Sequence, residues 1–90
     1  MTRSDILTSA RACVCGQREH DYGTPENSFS LIANLWSAYM GHKYSAKDVA
    51  MMMALLKVAR IKAGNTVDSF IDLAGYAACA GEISTEEEVT

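Results

Sequence analysis

The sequence predicts an all-α fold, a compact four-helix bundle that is completed by oligomerisation. Three observations carry that expectation. Apolar residues recur at helical spacing in four segments, and no stretch shows the alternation of a half-buried strand. Ser or Thr stands at the head of successive segments, and the one proline, Pro25, directly follows Thr24, where a helix starts most readily. Finally, 49% of the 90 residues are hydrophobic. A chain this short buries only ~60–65% of its unfolded surface, so an excess of apolar positions is most easily hidden between subunits.

The first helix is expected over about residues 5–18, capped by Ser4 with Asp5 near the positive end of the dipole. Ile6, Ala10, Cys13 and Val14 make its apolar stripe. A polar loop, Arg18-Glu-His-Asp-Tyr22-Gly23, leads to Thr24-Pro25-Glu26 and a second helix reaching about Met40. Phe29, Ile32, Ala33, Trp36, Tyr39 and Met40 share one face there, as a core stripe does more often than a base-stacking platform. Gly41 closes that helix.

Ser45-x-x-Asp48 opens the third helix as a capping box with Asp where Glu or Gln is usual. Gly64-Asn65 ends it, behind Lys62 in the last turn. Between Val49 and Ala59 the only charge is Lys57. Apolar residues ring that segment, so burial on most of its circumference and a partly intersubunit position are expected. Lys57 and Arg60, three apart, share a face. A lysine so placed must reach solvent, a carboxylate or an anionic ligand.

Thr66 or Asp68 caps the fourth helix, expected to run to about Ile83. Asp68, Asp72, Gly75, Tyr76 and Cys79 fall on one side of it, Phe70, Leu73, Ala74, Ala77, Ala80 and Gly81 on the other. Two aspartates one turn apart repel each other, so a cation should offset them. That cation is either a Lys or Arg of a neighbouring helix, which makes the stripe an internal ion-pair network, or part of a ligand or metal site. Residues 1–83 form a single helical domain on this reading, and Ser84–Thr90 a frayed acidic tail.

Composition excludes several function classes. The net charge of −3 is carried by Glu86, Glu87 and Glu88; the remaining charges balance, eight against eight. No basic patch of the kind that general nucleic-acid binding needs is present. No apolar run approaches the ~20 residues that span a bilayer, and none has signal-peptide character. An odd number of cysteines, three, then points to a reducing cytosol. Cys13 and Cys15 point in nearly opposite directions on a helix, and zinc would also need His20 and an unwound segment.

His-Asp-Tyr-Gly at 20–23 with Asp-x-x-x-Asp-Leu-Ala-Gly-Tyr-Ala at 68–77 resembles small phage-encoded proteins of unassigned function. The pair is similar to the nucleotide-modification-associated family, which carries Asp-Tyr-Gly early and Asp-x-x-x-Asp-Leu-Ala-Asn-Tyr late. Both resemble the wider MazG-like all-α nucleotide pyrophosphatases, over residues 18–83. The resemblance implies a MazG-like bundle, a homo-oligomer and a phosphorylated nucleotide as ligand, in the cytosol of a phage's host. MazG-like enzymes hold Mg²⁺ with Glu-Glu-x-x-Glu on one helix and Glu-x-x-Asp on the next. Only Asp68 and Asp72 answer to the second half, at altered spacing, and the third helix has no acid after Asp48.

A Lys/Arg pair can hold a phosphate but neither activates water nor provides a metal template. The first reading is therefore non-catalytic binding, or sequestration, of a phosphorylated nucleotide or nucleotide-derived signal, without a cofactor. Phage proteins that sequester host nucleotide immune signals are its analogy of setting. Its ligand-binding residues are Arg18, Tyr22, Lys57, Arg60, Asp68, Asp72 and Tyr76. The second reading is a Mg²⁺-dependent nucleotide pyrophosphatase with Asp68 and Asp72 as metal ligands, completed by Asp48, Asp21 or Glu26. The third is a helical interaction module with no small-molecule ligand.

Overall fold

A computed structural model describes residues 1–16, 24–64 and 67–89, with the side chains of residues 25, 26 and 87–89 left aside. Four helices account for nearly all of these residues, and no strand occurs among them: α1 (Arg3–Cys15), α2 (Pro25–Met40), α3 (Ala46–Lys62) and α4 (Val67–Val89). The all-α, four-helix expectation is met.

The cap of α1 is Thr2, not Ser4. Asp5 N donates to Thr2 Oγ1 at 3.1 Å, and Thr2 N donates to Asp5 Oδ2 at 2.9 Å. This reciprocal pair satisfies two backbone donors, where a cap at Ser4 would have no acid to return the bond. The backbone bond from Thr2 holds the Asp5 carboxyl below its ordinary range. The helix ends at Cys15, short of the expected residue 18. At Gly16 a Cβ would collide with the Ala12 carbonyl oxygen, which only glycine avoids.

In α2 the expected cap forms: Thr24 Oγ1 accepts from Asn27 N at 3.3 Å, with Pro25 in the first turn. Gly41 ends the helix in the left-handed region, at φ 66°, and its N–H donates to the Ser37 carbonyl. Ser37 then turns the chain. Its hydroxyl donates to the Ala33 carbonyl at 2.7 Å and accepts from Tyr44 N at 2.9 Å. Tyr44 sets its ring edge-on to Trp36, with centroids 6.4 Å apart. The chain enters α3 through the Ser45–Asp48 capping box, with bonds of 2.9 and 3.1 Å.

The fourth helix is the spine of the bundle. It packs most extensively on α3, and also touches α1 and α2. Val49, Ala50 and Ala54 of α3 meet a core that holds Ile71, Cys79, Ala80 and Ile83 of α4, with Ala10 and Ala33 from the first two helices. Small residues let the backbones approach. At Gly75 a Cβ would sit 3.0 Å from Val14 Cγ1, so α1 lies against α4 where a side chain is missing. Gly75 and Cys79, on the aspartate side of α4, are buried, while Phe70, Ala77 and Gly81 are exposed.

Several expectations change here. Tyr39 and Met40 belong to no core: Tyr39 is 88% exposed. Cys13 is exposed on α1. The outer side of α3 is open, with Met51, Met52, Leu55, Leu56 and Val58 exposed within one chain. Neighbouring helices cover only one side of α3. The fourth helix runs on to Val89 instead of stopping near Ile83. After Gly81 neither Gly nor Pro interrupts it, and glutamates propagate a helix well. Asn65, Thr66 and Thr90 lie outside the described residues. Among the described residues no helix is long and apolar enough to cross a membrane.

Candidate functional site

Lys57 lies on the α4 side of α3, three turns past the Ser45 cap. Its Nζ stands 3.0 Å from Asp72 Oδ2 of α4, with side-chain exposures of 18% and 33%. Helix geometry explains the meeting: α3 and α4 pack along much of their length, and Asp72 follows Asp68 by one turn on the inner side of α4. The cation that the aspartate stripe needed is thus lysine, at Asp72. The Lys57 side chain is mostly buried, while its ammonium reaches a carboxylate that is one-third exposed.

Arg60, one turn further along α3, is exposed, and so is Asp68 at the start of α4. Both sit toward the α3–α4 connection. Neither makes an ion pair among the described residues. Tyr76 is half-buried one turn beyond Asp72, with its ring centroid 6.1 Å from that of Phe29. Arg18 and Tyr22, together with His20, Asp21 and Gly23 of the early motif, lie outside the described residues. The structure therefore brings Lys57 to Asp72 and leaves Arg60 and Asp68 open to solvent nearby in the chain.

Among the described residues the carboxylates do not gather around one point, and Asp21 and the Glu26 side chain lie outside them. Asp72 already has an ammonium at contact distance, and Asp68 is a single exposed carboxylate one turn away. No group of three or more His, Cys, Asp or Glu that could hold a metal occurs among the described residues. Asp48 serves the N-cap of α3, where the backbone bond from Ser45 holds its carboxyl below the ordinary range. It stands nine residues from Lys57, ~13 Å along the helix.

A second feature is not marked by any motif. Trp36, Tyr39, Met40, Tyr44 and Met52 line an open, largely apolar groove of about 290 Å³ between α2 and α3. His42 adds its ring to the edge of Tyr44, with centroids 5.0 Å apart. Trp36, Tyr39 and Met40 belong to the stripe expected in the core, and helix spacing alone does not say which end of a stripe the next helix covers.

Over the described residues the fold and site define an all-helical protein with a lysine–aspartate bridge between its central pair of helices. Residues 5–84 match the family described as Domain of unknown function (DUF6378), and the chain belongs to that family. It is similar to the Gene 55 protein of Mycobacterium phage D29, 44% identical over 82 residues, which cover 90% of this chain and 54% of that one. The Gene 55 protein of Mycobacterium phage L5 is 41% identical over 85 residues, covering 92% and 54%. The chain spans about half the length of the curated relatives it matches. No solved structure matches it.

Proposed function

We propose that the chain binds a phosphorylated nucleotide or a nucleotide-derived signal without cleaving it, as a homo-oligomer of MazG-like type in the cytosol of a phage's host. The single observation behind this reading is the setting of Lys57. It is the one charge in an apolar helical segment, mostly buried, and held by a partly exposed carboxylate at 3.0 Å. An ammonium so placed can exchange this carboxylate for a phosphate oxygen, because the lysine is already oriented and Asp72, one-third exposed, keeps access to water when released. Arg60, exposed one turn on, supplies a planar fork for a second phosphate oxygen. Tyr76 offers a ring on the other side of Asp72.

The pyrophosphatase reading asks for carboxylates in a divalent-metal geometry, and α3 supplies only Asp48, which is engaged at its N-cap. The phage setting of the relatives fits sequestration of a host nucleotide. The test is a thermal-shift series with nucleoside mono-, di- and triphosphates and cyclic nucleotides, each with and without Mg²⁺. Stabilisation independent of Mg²⁺, with the ligand recovered intact by mass spectrometry, is the expected result. Stabilisation only with Mg²⁺, accompanied by released pyrophosphate, establishes the enzyme instead. No response to any nucleotide sinks both and leaves an interaction module.

A further inference from the structure

We infer that α3 pairs with α3 of a second copy, antiparallel, about a twofold axis that passes at Leu55. The inference gives the homo-oligomer proposed above a contact surface, on the outer face of α3 and the groove beside it, and is independent of any nucleotide. Asp48, Met51, Met52, Leu55, Val58, Ala59 and Lys62 fall on that face at helical spacing. All seven are exposed, and Leu55, at their centre, is 62% exposed.

The occupant follows from the order of these residues. Their offsets from Leu55 are symmetric, at three, four and seven positions on either side. An antiparallel twofold therefore lays each residue against its mirror position in the other copy, as isologous pairing requires. Met52 meets Val58, and the long Met51 meets the small Ala59, so knobs are offered hollows. At the ends Asp48 meets Lys62, twice by symmetry. A parallel pair in register would instead set Asp48 against Asp48 and Lys62 against Lys62, and align two helix dipoles.

Size also bears on the partner. The stripe from Asp48 to Lys62 runs ~21 Å along the axis. Specific dimers generally bury more than ~1,000 Å² in total, more than one such stripe provides. The apolar surface does not end at α3, however. Met52 also lines the groove with Trp36, Tyr39, Met40 and Tyr44, which carries the patch onto α2. A contiguous apolar area of this kind on one small chain marks a contact surface. The terminal charge pairs set register and orientation more than strength.

Sedimentation velocity at micromolar concentration, under reducing conditions, tests this directly. The wild-type chain is expected to be a dimer or a larger assembly with an even number of subunits. Leu55→Glu is expected to sever this contact and halve the assembly, while circular dichroism keeps its helix content, since Leu55 packs little within one chain. Lys62→Glu and Asp48→Lys should each weaken pairing by about tenfold or more, through like charges at both ends. An equimolar mixture of these two variants should recover the wild-type affinity, because each then meets the opposite charge. A monomeric wild type, an assembly indifferent to Leu55→Glu, or a mixture that fails to recover overturns the inference.

Should Asp48→Lys lose its helix cap and unfold, a cysteine placed on the axis gives the same information. Leu55→Cys, in a chain also carrying Cys13→Ser and Cys15→Ser, should form a self-disulfide on mild oxidation. Failure to cross-link overturns the axis.

Discussion

Lys57 Nζ and Asp72 Oδ2 stand 3.0 Å apart and join the two helices with the most extensive contact in the bundle. The bridge is neither fully buried nor solvated, and this decides what it is worth. With Asp72 about one-third exposed, solvent screens the pair, and a double-mutant cycle should return at most ~1 kcal/mol of coupling in the ligand-free chain. A coupling of several kcal/mol would mean a buried network that exists for stability alone.

The two partners should separate when a nucleotide is present. Lys57→Ala removes the phosphate donor and should weaken nucleotide affinity by roughly 1.5–3 kcal/mol. Asp72→Asn releases Lys57 from its competitor while keeping size and hydrogen bonding, so affinity should hold or rise. If Asp72 were a metal ligand, the same variant would abolish activity. Titration calorimetry on both variants, beside their melting temperatures, distinguishes these results. Unchanged affinity in Lys57→Ala rejects the site.

Gly75 should tolerate little bulk. A Cβ there meets Val14 Cγ1 at 3.0 Å, so alanine forces a rotamer or a small shift in α1. Against that stands the gain of ~1 kcal/mol from replacing glycine inside a helix. The two effects nearly cancel for Gly75→Ala, whose stability should stay within about 1 kcal/mol of wild type. Gly75→Val has no such offset and should cost about 1–3 kcal/mol by urea unfolding. A neutral valine would show that α1 is not held against α4 at this point.

Local signals were the legible part of this fold. Thr24-Pro25, Gly41 and Ser45-x-x-Asp48 each mark a boundary with chemistry confined to a few residues, and all three formed. Thr2 and Ser4 are both good caps by residue type, and only the reciprocal bond with Asp5 tells the two apart. Which side of α3 is covered could not be read, since apolar residues ring it and one chain covers only the Ala50–Ala54 side. Asp72 was legible as needing a cation. That Lys57 would be the one depends on how α3 packs on α4, which no spacing within either helix records.

The end of α4 should be dispensable even though it is helical. Ile83 is fully buried, whereas Thr85 and Glu86 are exposed. Deleting residues 84–90 leaves the core intact and should shift the melting temperature by less than ~5 °C. Ile83→Ala, by contrast, leaves a void in the core and should cost about 2–5 kcal/mol. A larger loss from the deletion than from Ile83→Ala would show that the last turns dock.

The cap of α3 gives the chain an acid-sensitive contribution of known sign. Asp48 accepts from Ser45 N at 2.9 Å, and that bond holds its carboxyl below the ordinary 3.8. A carboxyl whose folded pKa lies below its unfolded one stabilises the fold above the unfolded value. That contribution is lost as pH falls through the folded one. Asp48→Ala should therefore lower the melting temperature at pH 7, and the gap to wild type should close as pH drops below about 4. Ser45→Ala removes the hydroxyl side of the same box and should cost about 1 kcal/mol. The hydroxyl bond to Asp48 N, 3.1 Å long, carries no charge, so that part of the deficit persists into acid, whereas the hydroxyl's smaller share in holding the Asp48 carboxyl down is lost there. Parallel melting curves for wild type, Asp48→Ala and Ser45→Ala between pH 3 and pH 7 check both statements. A gap for Asp48→Ala that stays constant across that range would show that its carboxylate charge contributes nothing to the cap.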